Sequence, residues 1–89
     1  MIDQINNYLD ILDEVLEYIP KNEKVLLEKL IESSYSLVDS SQIMIQLQVI
    51  DYFVCYMFSQ KYINFSLFLK IGKSLEGIIY GLKGDISFE

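Results

Sequence analysis

The chain has no histidine and no arginine, one cysteine (Cys55) and one proline (Pro20). Without histidine, no serine has an imidazole base, and the Glu-x-x-His ligand pair of helical di-iron sites cannot be built. Without arginine, and with a net charge of −6, there is no basic groove for nucleic acid. A lone cysteine forms no internal disulfide, and inside an apolar run Cys55 is expected to be a small buried hydrophobe. The most apolar stretch, residues 49–58, is half the roughly twenty residues a membrane span needs. The first nineteen residues carry five acids and no base, the reverse of a secretory leader, so a cytoplasmic protein is expected. The glycines (Gly72, Gly77, Gly81, Gly84) fall in or after a helical pattern, not between strand and helix where phosphate loops sit.

What remains is an apolar, aromatic, acidic chain. Its 89 residues suit one domain, and 52% are hydrophobic, with mean hydropathy +0.26. Seven tyrosines and five phenylalanines suit boundaries that are dry on one side and wet on the other. Charge is unevenly placed. Asp3, Asp10, Asp13, Glu14 and Glu17 crowd the first nineteen residues, while Lys61, Lys70, Lys73 and Lys83 oppose only Glu76 between 61 and 83. If the first and last helices are neighbours, these faces attract, weakly. Asp10, Asp13, Glu14 and Glu17 share a helix side at i, i+3, i+4 and i+7 and read as a solvated acidic face.

Ile2, Ile5, Leu9, Leu12, Leu16 and Ile19 repeat at 3-4-3-4-3, widened by Tyr8, Ile11, Val15 and Tyr18 into the stripe of a bundle helix. Pro20 ends it. Asn22 is expected to cap a second helix with Leu27, Leu30, Ile31, Ser34, Leu37 and Val38 inward. Asp39, Ser40 and Ser41 separate it from a third helix, apolar over most of its girth and expected to be the centre of the fold. One row there is Ile43, Leu47, Ile50, Val54 and Met57; a second is Ile45, Val49, Phe53 and Tyr56. Asp51 interrupts it, at a solvent edge, bonded to a tyrosine, or facing a partner; Tyr52, Tyr56, Phe58 and Tyr62 divide between core and recognition surface. Ser66 is expected to cap a fourth helix with Phe68, Ile71, Leu75, Ile78 and Leu82 inward. Gly72 and Gly77 then require a close helix approach or a bend, and Gly81 and Gly84 end the helix. The expected fold is an all-α, antiparallel up-down four-helix bundle, with helices at about 2–19, 22–38, 41–60 and 66–82. A single domain spans 1–89, with a short tail at 84–89 that could fold back through Ile86 and Phe88.

Three segments carry a resemblance: Leu47-x-x-Ile50-x-Tyr52-Phe53, then Lys61-x-Ile63-x-Phe65-Ser66, then the amphipathic stretch Leu69 to Leu82 with glycines near its end. Together they resemble the immunity proteins of pediocin-like (class IIa) bacteriocins, which are small cytoplasmic four-helix bundles. The Ile-x-Phe-Ser step into the last helix is the most telling match. Residue-level similarity covers about 47–84; the chain differs from the family's usual pattern in its acidity, short first helix and short tail. The resemblance implies resistance of a Gram-positive producer cell to a bacteriocin. In that family the immunity protein acts from the cytoplasmic side on the mannose-type sugar-phosphotransferase permease with bacteriocin bound, and blocks the pore. It implies no catalytic residue, cofactor or metal, no nucleic acid, at most a peripheral relation to the membrane, and a monomer. It places specificity in the C-terminal half, making Tyr62, Lys70, Lys73, Lys83, Ile86 and Phe88 the candidate partner-binding residues, with the lysines toward the receptor. The alternative is a phage- or plasmid-encoded helical regulatory protein, dimeric through the third helix, that binds a host protein.

Overall fold

Pro20 and two polar connections cut the chain into helices joined too closely for anything but antiparallel neighbours. A computed structural model describes residues 2–86, with side chains from 3 to 82. Helix α1 spans Ile2–Val15 and tightens into a 3-10 turn at Leu16–Tyr18; α2 spans Lys21–Ser34, α3 Ser40–Ser59 and α4 Phe65–Ile86. α1 packs on α2 and α4, and α3 packs on the same two, while the diagonal pairs make no close backbone approach. The result is an up-down four-helix ring around one core.

Tyr8, Leu9, Ile11, Leu12 and Val15 of α1 are buried, with Ile19 beyond the turn. α2 contributes Leu27 and Ile31; α3 Leu47, Ile50, Val54 and Met57; α4 Ile71, Leu75, Ile78 and Leu82. Each fully buried aliphatic side chain stabilises the fold by about 1.5–3 kcal/mol. The inward seams of α3 and α4 are those the spacing picks out, except that Phe68 and Ile43 are half-buried at the margin.

The centre lies elsewhere than expected. In a ring every helix touches two neighbours, so α3 keeps a solvent side. Ile45, Val49, Tyr52 and Tyr56 lie exposed on it, and Phe53 is half-buried against Tyr56 at a 6.2 Å ring separation. Cys55 is exposed too, contrary to the reading of it as a core residue. Tyr18 and Val38, expected inward, face solvent.

Helix ends also differ from expectation. α2 starts at Lys21, straight after Pro20, whose carbonyl accepts the Lys24 N–H at 2.9 Å; Asn22 lies inside the helix rather than capping it. α2 stops at Ser34 instead of 38. Hydroxyls there bond to the chain's own backbone, Ser34 Oγ donating to the Leu30 carbonyl at 2.7 Å and Ser36 Oγ to that of Ser33 at 3.0 Å. Such local bonds compete with helix continuation. Gln46 of α3 ties this end down, its Nε2 lying 3.1 Å from the Leu30 oxygen and 2.8 Å from Ser33 Oγ. Asp39 flanks α3 as expected, but its carbonyl, not its side chain, takes the first helical bond, from Ile43 N–H at 3.0 Å.

α4 departs most. It begins at Phe65 and continues through Gly81 and Gly84 to Ile86, so neither glycine ends it, and residues 84–86 of the expected tail are helix. No described glycine has a positive φ, so none acts as a left-handed stop. Nor do Gly72 and Gly77 have a close neighbour: a Cβ built on either meets nothing within 4 Å. Close helix approach does not account for these glycines.

Candidate functional site

The chain reverses between α3 and α4 by a Schellman motif. Lys61 N–H donates to the Phe58 carbonyl and Tyr62 N–H to that of Met57, both at 3.0 Å. The motif requires a left-handed residue, and Lys61 supplies it with φ 65°. This conformation is ordinarily glycine's, and a side chain there costs about 1–2 kcal/mol. Ile63 anchors the connection in the core. Asn64 then caps α4: its Oδ1 accepts the Leu67 N–H at 2.8 Å, and its carbonyl the Phe68 N–H at 3.0 Å. Ser66, the expected cap, lies within the first turn. Phe58 stacks on Phe68 at 4.2 Å and tilts against Phe65 at 6.3 Å, which locks the reversal to the helices it joins.

Beside this reversal lies an open groove of about 900 Å³, walled by Tyr18 and Glu14 on the first-helix side and by Lys61, Tyr62, Leu67 and Lys70 on the other. Lys70 Nζ sits 3.5 Å from Glu14 Oε2, with both side chains about half exposed. This pair is the attraction expected between the acidic first helix and the basic last one, worth at most a few tenths of a kcal/mol at such exposure. The groove offers two ammonium groups, one carboxylate and two phenols around an apolar floor. That chemistry suits binding by hydrogen bonds and stacking.

Of the six candidate partner-binding residues, Tyr62 and Lys70 meet in this groove. Lys73 is exposed one turn further along α4 and does not line it. Lys83 lies about 20 Å along α4 from Lys70. The side chains of Lys83 and Ile86 and the whole of Phe88 lie outside the described residues. Tyr18, Lys61 and Asn64 join the site without having been expected there. Tyr18 counts as stripe by spacing, and no sequence signal marks a lysine destined for a left-handed position.

Asp10, Asp13, Glu14 and Glu17 are all exposed, and among the described residues no three potential metal ligands converge. Partial burial and the neighbouring Asp51 charge push the Cys55 thiol up, which disfavours the reactive thiolate. Asp51 is half-buried and makes no side-chain hydrogen bond to a tyrosine among the described residues. No described helix is long and apolar enough to cross a membrane. Comparison with protein-family models, curated proteins and solved structures finds no match.

Proposed function

We propose that the chain is an immunity protein, giving its cell resistance to a pediocin-like bacteriocin through the bacteriocin-bound mannose-type permease at the cytoplasmic side. The observation that carries this reading is the segment Lys61-x-Ile63-x-Phe65-Ser66, the part of the resemblance that builds a defined surface. Ile63 is buried, Phe65 meets Phe58, and Lys61 and Tyr62 stand on the wall of a groove. The four-helix architecture is of the kind the resemblance implies. In this reading the partner meets the α3–α4 reversal through Tyr62 and Lys70, with Lys73 flanking. The reading needs no catalytic group.

The test is protection. Residues 1–89 are expressed in a sensitive Gram-positive strain and challenged with a panel of pediocin-like bacteriocins. Resistance to one member, weakened by Tyr62→Ala with Lys70→Ala in a protein that still melts cooperatively, supports the proposal. Sensitivity to the whole panel, with folded and abundant protein, overturns it.

The exposed row Ile45, Val49, Tyr52 and Tyr56 favours a second reading, a regulatory protein that pairs through α3. Sedimentation separates the two, since a tight dimer broken by Tyr52→Glu supports the second and a monomer at high concentration removes it.

A further inference from the structure

A different groove runs along the α3–α4 seam. Asp51 and Tyr52 face Leu75, Glu76, Ile79 and Tyr80 across two adjoining concavities of about 230 and 360 Å³ that share Asp51, Leu75 and Ile79. The floor is apolar, with Leu75 buried and Ile79 half-buried. The rims are aromatic: Tyr52 is 83% and Tyr80 72% exposed. Gly72 leaves one wall bare, with nothing within 4 Å of the place a methyl would occupy. No lysine lines either concavity. Both carboxylates are free of ion pairs among the described residues, where Lys70–Glu14 is the pair formed. The Asp51 charge reaches inward as well, adding to burial in holding up the Tyr8 phenol and the Cys55 thiol.

These features select an occupant by charge. Seated in this groove, as opposed to on the outer face of α3, a second copy of this chain brings a net −6 against the same two acids and is disfavoured; a phosphate-bearing ligand fares no better. A neutral apolar segment would cover Asp51 and leave a desolvated carboxylate without a counter-charge, which is costly. Lysines or arginines of a partner can satisfy these carboxylates by charge-assisted hydrogen bonds and stack on the exposed tyrosine faces. From Gly72 to Tyr80 the groove extends about 12 Å, two to three turns of a docked helix.

We propose that the α3–α4 groove is a docking site for a cationic amphipathic helical segment of a partner protein, its apolar side on Leu75 and Ile79 and its basic groups between Asp51, Glu76 and the Tyr52 and Tyr80 rings. The site is separate from the groove at the α3–α4 reversal and stands whether or not the immunity reading does.

The experiment measures fluorescence anisotropy of a labelled amphipathic Leu/Lys peptide against the full chain. Two peptide controls are a scrambled peptide of equal charge and a Leu/Glu peptide of the same pattern. Three variants follow: Asp51→Asn with Glu76→Gln, Gly72→Phe, and Asp10→Asn with Asp13→Asn, which removes the same charge from α1. The expected result is saturable binding of the Leu/Lys peptide alone. It weakens about tenfold in the groove double variant and in Gly72→Phe, and changes less than about twofold in the α1 variant. Gly72→Phe fills open space at constant charge, so it reads the groove even if the double variant unfolds. Equal losses in both double variants, or equal binding of the scrambled peptide, overturn the proposal in favour of general attraction to an acidic protein. A dimer in sedimentation that Gly72→Phe disperses overturns it in favour of a second copy.

Discussion

Tyr8 of α1 is wholly buried within the field of the Asp51 carboxylate on α3, yet its hydroxyl has no hydrogen-bond partner among the described residues. A buried polar group left unmatched costs about 1–3 kcal/mol. Tyr8→Phe keeps the ring and removes the hydroxyl, so it is expected to stabilise the fold by about 1 kcal/mol. Urea denaturation at pH 7 reads this directly; a loss of stability would mean that the hydroxyl is satisfied in solution.

The same phenol sets an alkaline limit. Burial first, then the charges of Asp51 and Cys55, hold its pKa above the ordinary 10.0. The folded chain keeps a proton that the unfolded chain gives up. The stability tied to this group is therefore intact below pH 10 and is lost as pH rises toward the folded value, by up to about 1.4 kcal/mol per pH unit. Urea midpoints of the parent are expected to fall above pH 10, and those of Tyr8→Phe to fall less. Cys55 and Tyr56 shift in the same direction, so the flattening is partial.

Asn64, not Ser66, closes the first turn of α4. Asn64→Ala is expected to cost about 1 kcal/mol, and Ser66→Ala to stay within about 0.5 kcal/mol. Thermal melts of the two variants side by side check the assignment, and a larger loss from Ser66→Ala would refute it.

Lys61 adopts a conformation that glycine takes without penalty. Lys61→Gly is expected to raise stability by about 1 kcal/mol, and Lys61→Val to lower it. Chemical denaturation of the two variants checks the pair of signs. If Lys61→Gly also weakens partner binding, the lysine serves the groove at the expense of the turn.

Gly77 lies exposed in the interior of α4 with open space where a methyl would go. Gly77→Ala is expected to add about 0.5–1 kcal/mol, read as a higher melting temperature. A destabilised alanine variant would point to a contact made outside this chain's own fold.

How far the sequence speaks depends on the kind of signal. The seam Ile71, Leu75, Ile78 and Leu82 is legible because a 3-4-3 rhythm of large aliphatics fits one helix face and little else. The same counting misleads on α3: Ile45 and Val49 are as apolar as Leu47 and Ile50, and only the number of neighbours in the ring leaves them in water. Caps are harder, since Asn64 and Ser66 are both good capping residues two positions apart. Gly81 looks like a stop, but its cost of about 1 kcal/mol is outweighed by burying Leu82, the next residue. In the candidate site Tyr62 and Lys70 were within reach of the sequence. The left-handed Lys61 was not, because its backbone is set by the Schellman bonds rather than by its own preference.

Because α1 leans on both α2 and α4 while avoiding α3, the order of synthesis leaves one flank uncovered for most of the process. When α1, α2 and α3 have left the ribosome, the side of α1 that will pack on α4 still faces water. Some fifty residues lie between the end of α1 at Val15 and the start of α4 at Phe65, yet closing so long a loop costs little more than closing one half its length. Until α4 docks, α1, α2 and α3 can form only an open trough, which α4 fills. A chaperone or a premature partner would find its opening there, on a surface that the finished protein never displays.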